Sequence, residues 1–453
     1  MLLQFAVENY LSFRDRAVLS MLADERVTHE PGHVLQGPGG RQILRAAALY
    51  GANGSGKSNL VKALAMVRRI VGQGTRGDER LPIVPFKLDP ARRIAPAHFE
   101  LELIAAGKHC SYGFEATTSQ VQAEWLYEID TSGEERLLFE RVAGDEAPRI
   151  TIGDALSMEP KRRAFLEFVA EGTRRNQLFL AEAGERNVTE LGPIREALHD
   201  WTIVLPDAPY MPLLDKLEKD DDFRKLMGVV LKDAGTGIDD LRIVKRVLEG
   251  LAPQEIELLT SARAMESATV LGDGLNLTVN LDEQGRPVLS DLLGIHRLPD
   301  GEQVELSMRA ESDGTRRLLN LAPILHLVGA GGADALLVVD ELERSLHPLL
   351  TRMLLQLFFA RAASGAAAQI IFTTHDTNLL DLRILSRDSV WLIEKDARGG
   401  SVMYPLSELD QAQIDEVERQ GKGLERGYLQ GRFGAIPFFG SLEALGFRKE
   451  QLR

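Results

Sequence analysis

One cysteine, Cys110, stands among 453 residues. With no second thiol there is no intrachain disulfide and no thiolate metal cluster, which suits a reducing compartment. Positive charge is also short: 53 lysines and arginines face 67 aspartates and glutamates, a formal net charge of −14. A protein that binds nucleic acid by itself usually carries a basic excess, so DNA contact would need a local patch or a partner. The basic clusters Arg92-Arg93, Lys161-Arg162-Arg163, Arg174-Arg175 and Arg316-Arg317 read first as solvated surface charge. No apolar run is long enough to span a bilayer. The first residues carry Glu8 and Asn9 and lack the basic stretch of a signal peptide. Internal repeats, low-complexity tracts and sustained heptads are missing too. The expectation is a cytoplasmic globular protein of two or three domains.

What is present begins with Gly51-Ala52-Asn53-Gly54-Ser55-Gly56-Lys57-Ser58, which follows the apolar run 43–50 and opens a helical stretch over 59–69. Strand, glycine loop and helix in that order make a phosphate-binding P-loop. The glycines let successive backbone N–H groups converge on a phosphate, and the helix start adds its partial positive charge. Lys57 reaches the β- and γ-phosphates and the Ser58 hydroxyl ligates Mg²⁺. The candidate nucleotide contacts are Asn53, Gly54, Ser55, Gly56, Lys57, Ser58 and Asn59.

Three further segments complete a candidate ATP site. Leu336-Leu337-Val338-Val339 is apolar at every position, as in a parallel strand buried on both faces, and ends in Asp340 and Glu341. Such strand ends face ligand, so Asp340 is the expected magnesium carboxylate and Glu341 the expected general base. A second apolar strand, 370–374, ends in His375, which is placed to reach the γ-phosphate. Ser312 and Gly314 in Glu311-Ser312-Asp313-Gly314-Thr315 open a helix expected over 316–326 and form a second anion site. One chain has one γ-phosphate to hold. Two phosphate-binding helix starts therefore suggest a site completed by a second copy, head to tail.

Elsewhere, alternation around Leu3, Phe5 and Val7 and again around Ala17, Leu19 and Met21 predicts two short strands. Strand-like runs at 98–104, 110–116, 123–130 and 136–141 predict an antiparallel lobe. Residues 155–265 read as mostly helical, with a break at Lys219-Asp220-Asp221-Asp222, and strands resume at 274–282 and 303–310. The domain reading is 1–150 for the first core half with the antiparallel lobe, 151–270 for a helical insertion, and 271–453 for the second core half with a partner-binding tail.

The P-loop and the acidic strand lie about 280 residues apart, while the 311–315 segment is close to the acidic strand. With that arrangement the chain resembles the ABC-type ATPases of the Rad50, SMC and RecF branch, with Thr315 where transporter signatures carry glutamine. The segments Phe5–Phe13, Pro85–Pro90, Glu341–Pro348 and Tyr428–Phe438 are similar to the bacterial AAA15/AAA21 ABC-ATPases. The resemblance implies an α/β P-loop NTPase head with a mixed β-sheet core, an antiparallel β lobe and an inserted helical lobe. It implies ATP and Mg²⁺ as cofactors and an ATP-driven homodimer in which Ser312 and Gly314 contact the partner's γ-phosphate. It also implies a D-loop through Ser345 and His347, and a nuclease partner of the RloB or TOPRIM kind in antiphage defence. The alternative is a DNA-repair ATPase acting directly on DNA. The family's Q-loop glutamine is unassigned, its best candidate position being a strand at 177–180 followed by Ala181 and Glu182.

Overall fold

Ala46–Tyr50 is apolar throughout and buried at every position, which fits the interior of a parallel sheet. The computed structural model describes residues 1–30, 32–144, 147–157, 159–206, 213–250, 254, 277–282, 284–329, 335–362, 367–409 and 423–436. They divide into two compact units, the first made of 1–201, 334–336 and 369–453, the second of 202–333 and 337–368.

In the first unit Ala46–Tyr50 lies between two parallel neighbours, Ala368–Thr373 and Val390–Lys395, and Ser401–Pro405 adds an antiparallel edge. The helix Lys57–Gln73 leaves the carboxyl end of the first of these strands. It packs on the helices Phe179–Glu185 and Gly192–His199. A seven-stranded antiparallel sheet runs in the order Arg149–Ile152, Glu135–Val142, Val121–Ile129, Lys108–Ala116, Ala97–Ala105, Leu2–Glu8, Ala17–Ser20. The antiparallel lobe read from the sequence is therefore larger than expected, because the N-terminal hairpin joins it.

Two buried polar residues tie this unit together. Glu124 accepts from the Tyr112 hydroxyl at 3.1 Å and from the backbone N–H groups of Phe179 and Leu180 at 2.6 and 3.1 Å, capping the start of a helix. Burial pushes its carboxyl above the usual carboxylate range, opposed by the Arg141 guanidinium. Arg141 in turn donates to the carbonyls of Arg174, Arg175 and Gln177.

Cys110 is fully buried in the same sheet, and burial pushes its thiol up to about 11. Native alkylation at pH 8 is expected to run roughly 100-fold slower than in the denatured chain, since thiolate is the reacting form. A native rate within a few-fold of the denatured one would contradict that burial.

The second unit pairs Thr202–Val204 in parallel with Ala335–Val339. Its other sheet is antiparallel, with Pro287–Arg297 central, Ile238–Val247 on one side, and Leu277–Leu281 and Gln303–Ser307 sharing the other. The mostly helical reading of 155–265 holds for Pro160–Gly172, Phe179–Glu185, Gly192–His199, Leu213–Lys219 and Asp221–Asp233. It fails at Thr202–Val204 and at the ten-residue strand Ile238–Val247. Buried Leu241 and half-buried Ile243 flank exposed Arg242 there, after exposed Asp240, a short stretch of period two. Asp220, in the expected break, caps the following helix by accepting from Phe223 N–H at 2.9 Å. The single helix expected over 316–326 is two, Asp313–Asn320 and Ala322–Gly329, divided at Leu321.

The chain's ending folds back on its own strands over the described residues. Phe433 and Ala435 are buried, Tyr404 and Tyr428 donate to the carbonyls of Phe433 and Ala435 at 3.1 Å, and Ala435 N–H donates to Glu394 at 2.9 Å. Pro437 and Phe438 lie outside the described residues. Among the described residues no helix is long and apolar enough to cross a membrane.

Candidate functional site

The P-loop bends as its glycines allow. Gly56 has φ +125°, and a Cβ there would run into the hydroxyls of Ser401 and Ser12. Those two serines brace the loop from behind. Ser12 Oγ accepts from Asn59 Nδ2 at 2.8 Å, and Ser401 Oγ lies 2.8 Å from Ser12 Oγ and 2.5 Å from the Ser55 carbonyl. Lys395 Nζ donates to Ser401 Oγ at 3.1 Å. Asn59, expected among the nucleotide contacts, thus directs its amide to the brace. Neither Ser12 nor Ser401 carries a readable signal, since the two meet only across 389 positions of the chain.

Inside the loop, Lys57 is buried and its Nζ donates to the carbonyls of Gly51 and Ala52 at 2.7 and 3.1 Å. Ser55 Oγ is buried with no partner, while Asn53 and Gly54 are exposed at the loop's tip. A ring of glycine backbone, a buried ammonium and an orphaned hydroxyl fit a phosphate chain, whose oxygens would take these donors. Ser58 sits half-exposed in the first helical turn. No cluster of three His, Cys, Asp or Glu side chains among the described residues could hold a metal. Mg²⁺ suits the residues present all the same, because it is commonly held by one or two protein oxygens, substrate phosphates and water.

His375 is brought to the same sheet edge. Its strand pairs with the P-loop strand, Thr374 N–H donates to the Leu49 carbonyl at 3.1 Å, and Tyr50 Oη donates to the Asp376 carbonyl at 3.1 Å. His375 itself is exposed just beyond this strand end.

Two segments that the sequence leaves without a role prove to be one structure. Asn9, with φ +52°, is fully buried. Its Nδ2 donates to the carbonyls of Arg92, Ala95 and Pro96 at 2.8 to 3.1 Å, and its Oδ1 accepts from Phe86 N–H at 3.1 Å. The opening segment therefore organises the 85–96 loop while Ser12, three residues on, braces the P-loop.

In the second unit Asp340 follows the strand Ala335–Val339 and is buried, and its N–H donates to the Val204 carbonyl at 2.9 Å. Glu341 is half-buried with φ +51°, a left-handed backbone that glutamate rarely adopts. Ser312 is exposed and caps the helix Asp313–Asn320, its Oγ accepting from Thr315 N–H at 3.1 Å and lying 2.9 Å from Thr315 Oγ1. Gly314 is required by close approach, since a Cβ there would lie 2.9 Å from the Ser345 carbonyl. On the other side Glu311, nearly buried, bonds His296 at 2.6 Å and so fixes the residue before Ser312. Arg317, absent from the sequence reading except as surface charge, is buried.

The candidate Q-loop position needs correction. Residues 177–180 form no strand; a helix begins at Phe179. Gln177 is fully buried with both amide atoms unpartnered, and its Nε2 lies 3.5 Å from where a Gly74 Cβ would be. Gly74 caps the far end of the P-loop helix. At 1.5 Å per residue that places Gln177 roughly 25 Å from Lys57, out of reach of a γ-phosphate.

Fold and loop geometry define a P-loop NTPase of the ABC-head type, with mixed α/β architecture. The chain belongs to the AAA_21 family, described as "AAA domain, putative AbiEii toxin, Type IV TA system", whose profile matches residues 46–381. Among solved structures, the SMC head domain from Thermotoga maritima is 13% identical over 89% of this chain and 98% of that one, with a TM-score of 0.36. An SMC head bound to the C-winged helix domain of ScpA is 11% identical over 91% and 99%, with a TM-score of 0.40. No curated protein matches the chain in sequence.

Proposed function

We propose that the chain is an ATP-hydrolysing switch that closes head to tail as a homodimer on ATP and controls a nuclease effector in antiphage defence. The observation that carries this reading is the exposed, helix-capping Ser312 beside Gly314, a second phosphate-binding helix start in a chain that already has a P-loop. In this reading Lys57 and the loop N–H groups bind the phosphates, and Asp340 and Ser58 are the magnesium ligands. Mg²⁺ held there would supply neutralisation of phosphate charge. Glu341 takes the proton of the attacking water, His375 orients at the γ-phosphate, and Ser312 with Gly314 holds the partner's γ-phosphate. The family's description speaks of a putative toxin of a type IV TA system.

Light scattering of the purified chain tests the switch. Addition of Mg²⁺ with a slowly hydrolysed ATP analogue is expected to double the mass, and Ser312→Ala is expected to prevent it. A monomer at saturating analogue overturns the composite site. Co-purification with the product of the neighbouring gene, dependent on nucleotide, tests the effector half.

A further inference from the structure

Arg317 lies in the signature helix and is 3% exposed. A buried guanidinium is normally found against a carboxylate, and Asp340, Glu341 and Glu343 are all close enough to act on its charge. Its guanidinium donates to main-chain carbonyls instead. One terminal nitrogen donates to the Leu205 carbonyl at 3.3 Å; the other donates to the carbonyls of Asp340 at 2.8 Å and Glu341 at 2.6 Å. These carbonyls lie just beyond the two parallel strands Thr202–Val204 and Ala335–Val339, whose register ends at Val204 and Val339. The planar fork bridges the two strand ends. It fixes peptide planes, and one of them belongs to Glu341, held at φ +51°.

The same helix begins at Ser312, five residues earlier, and its start is pinned by Glu311 to His296 and by Gly314 against the Ser345 carbonyl. A rotation of this short helix about its N-terminus would move the Arg317 fork, and with it the backbone that aims the Glu341 carboxylate.

We propose that Arg317 is a positioning residue that transmits the state of Ser312 to Glu341, so that phosphate contact at the signature sets the aim of the general base. This rests on the ATPase reading above. Lysine cannot replace the fork, because a single ammonium cannot serve both strand ends in the same planar geometry.

The test uses the full chain, with Arg317→Lys and Arg317→Gln compared by steady-state hydrolysis, binding of a fluorescent ATP analogue, and circular dichroism. Both variants are expected to bind the analogue within threefold of the parent, since the P-loop is untouched. A fall in kcat of about tenfold for lysine and about 100-fold for glutamine is expected, with KM unchanged, as for a lost buried charge-assisted bond. Ser312→Ala combined with Arg317→Lys is expected to be no slower than the slower single variant, because both interrupt one linkage. Parental kcat in a folded variant overturns the proposal, as do kcat and KM moving together, additive losses in the double variant, or failure of both single variants to fold. A parent chain that hydrolyses no ATP instead overturns the ATPase reading itself, a distinct result.

Discussion

Lys57→Ala is expected to leave a folded chain that no longer binds ATP measurably. The lysine is 6% exposed and its ammonium is held by the Gly51 and Ala52 carbonyls. Those carbonyls belong to the loop's own backbone, so the ammonium sits inside the curve where phosphate oxygens would lie. Two charge-assisted bonds to phosphate, at about 1.5–3 kcal/mol each, correspond to roughly 10²- to 10⁴-fold in affinity. The loop should keep its shape, because the Ser12, Ser401 and Asn59 brace does not pass through Lys57. Calorimetric titration with Mg-ATP checks the binding and a thermal melt checks the fold. Affinity within threefold of the parent in a folded variant would remove the P-loop from the mechanism.

The second large effect is expected at Glu341. Glu341→Gln keeps the length and shape of the side chain but cannot accept a proton from water, so hydrolysis should fall about 10²- to 10⁴-fold. Binding should persist, because Lys57 and the loop are unaltered. With binding intact and chemistry stopped, the ATP-bound dimer should accumulate and persist through gel filtration. The structure adds a constraint. Glu341 sits in a left-handed conformation, and its carbonyl accepts from Arg317 and from Arg344 N–H at 3.1 Å. Glutamine preserves those backbone contacts, whereas proline could not adopt that φ at all. A monomeric Glu341→Gln chain turning over ATP at the parental rate would falsify both the general-base role and the closed dimer.

Much of the P-loop core is legible in the chain because its requirements are local. The apolar strand, the glycines and the helix start are neighbours in sequence, and the observed helix Lys57–Gln73 contains the expected 59–69 with room at both ends. Asp340 and Glu341 follow the same rule, since an apolar strand ending in carboxylates is a single short run. Ser312 is legible too, as a helix cap beside a glycine.

Tertiary structure alone decided what surrounds those motifs. The Asn9 hub joins residues 77 to 87 positions apart, and the Glu124 cap serves a helix 55 positions away. Ser12 and Ser401 meet across 389 positions to brace the loop. Arg317, part of a basic pair in the sequence, turned inward to hold two strand ends, and the segment at 177–180 proved to lead into a helix where a strand was expected. Each depends on where distant segments pack, and a hydrogen bond between distant residues leaves no periodicity or spacing in the chain that makes it. Sequence therefore determined the glycine loop and the acidic end of the strand Ala335–Val339, through local backbone and charge requirements. Packing decided which side chains hold them in place.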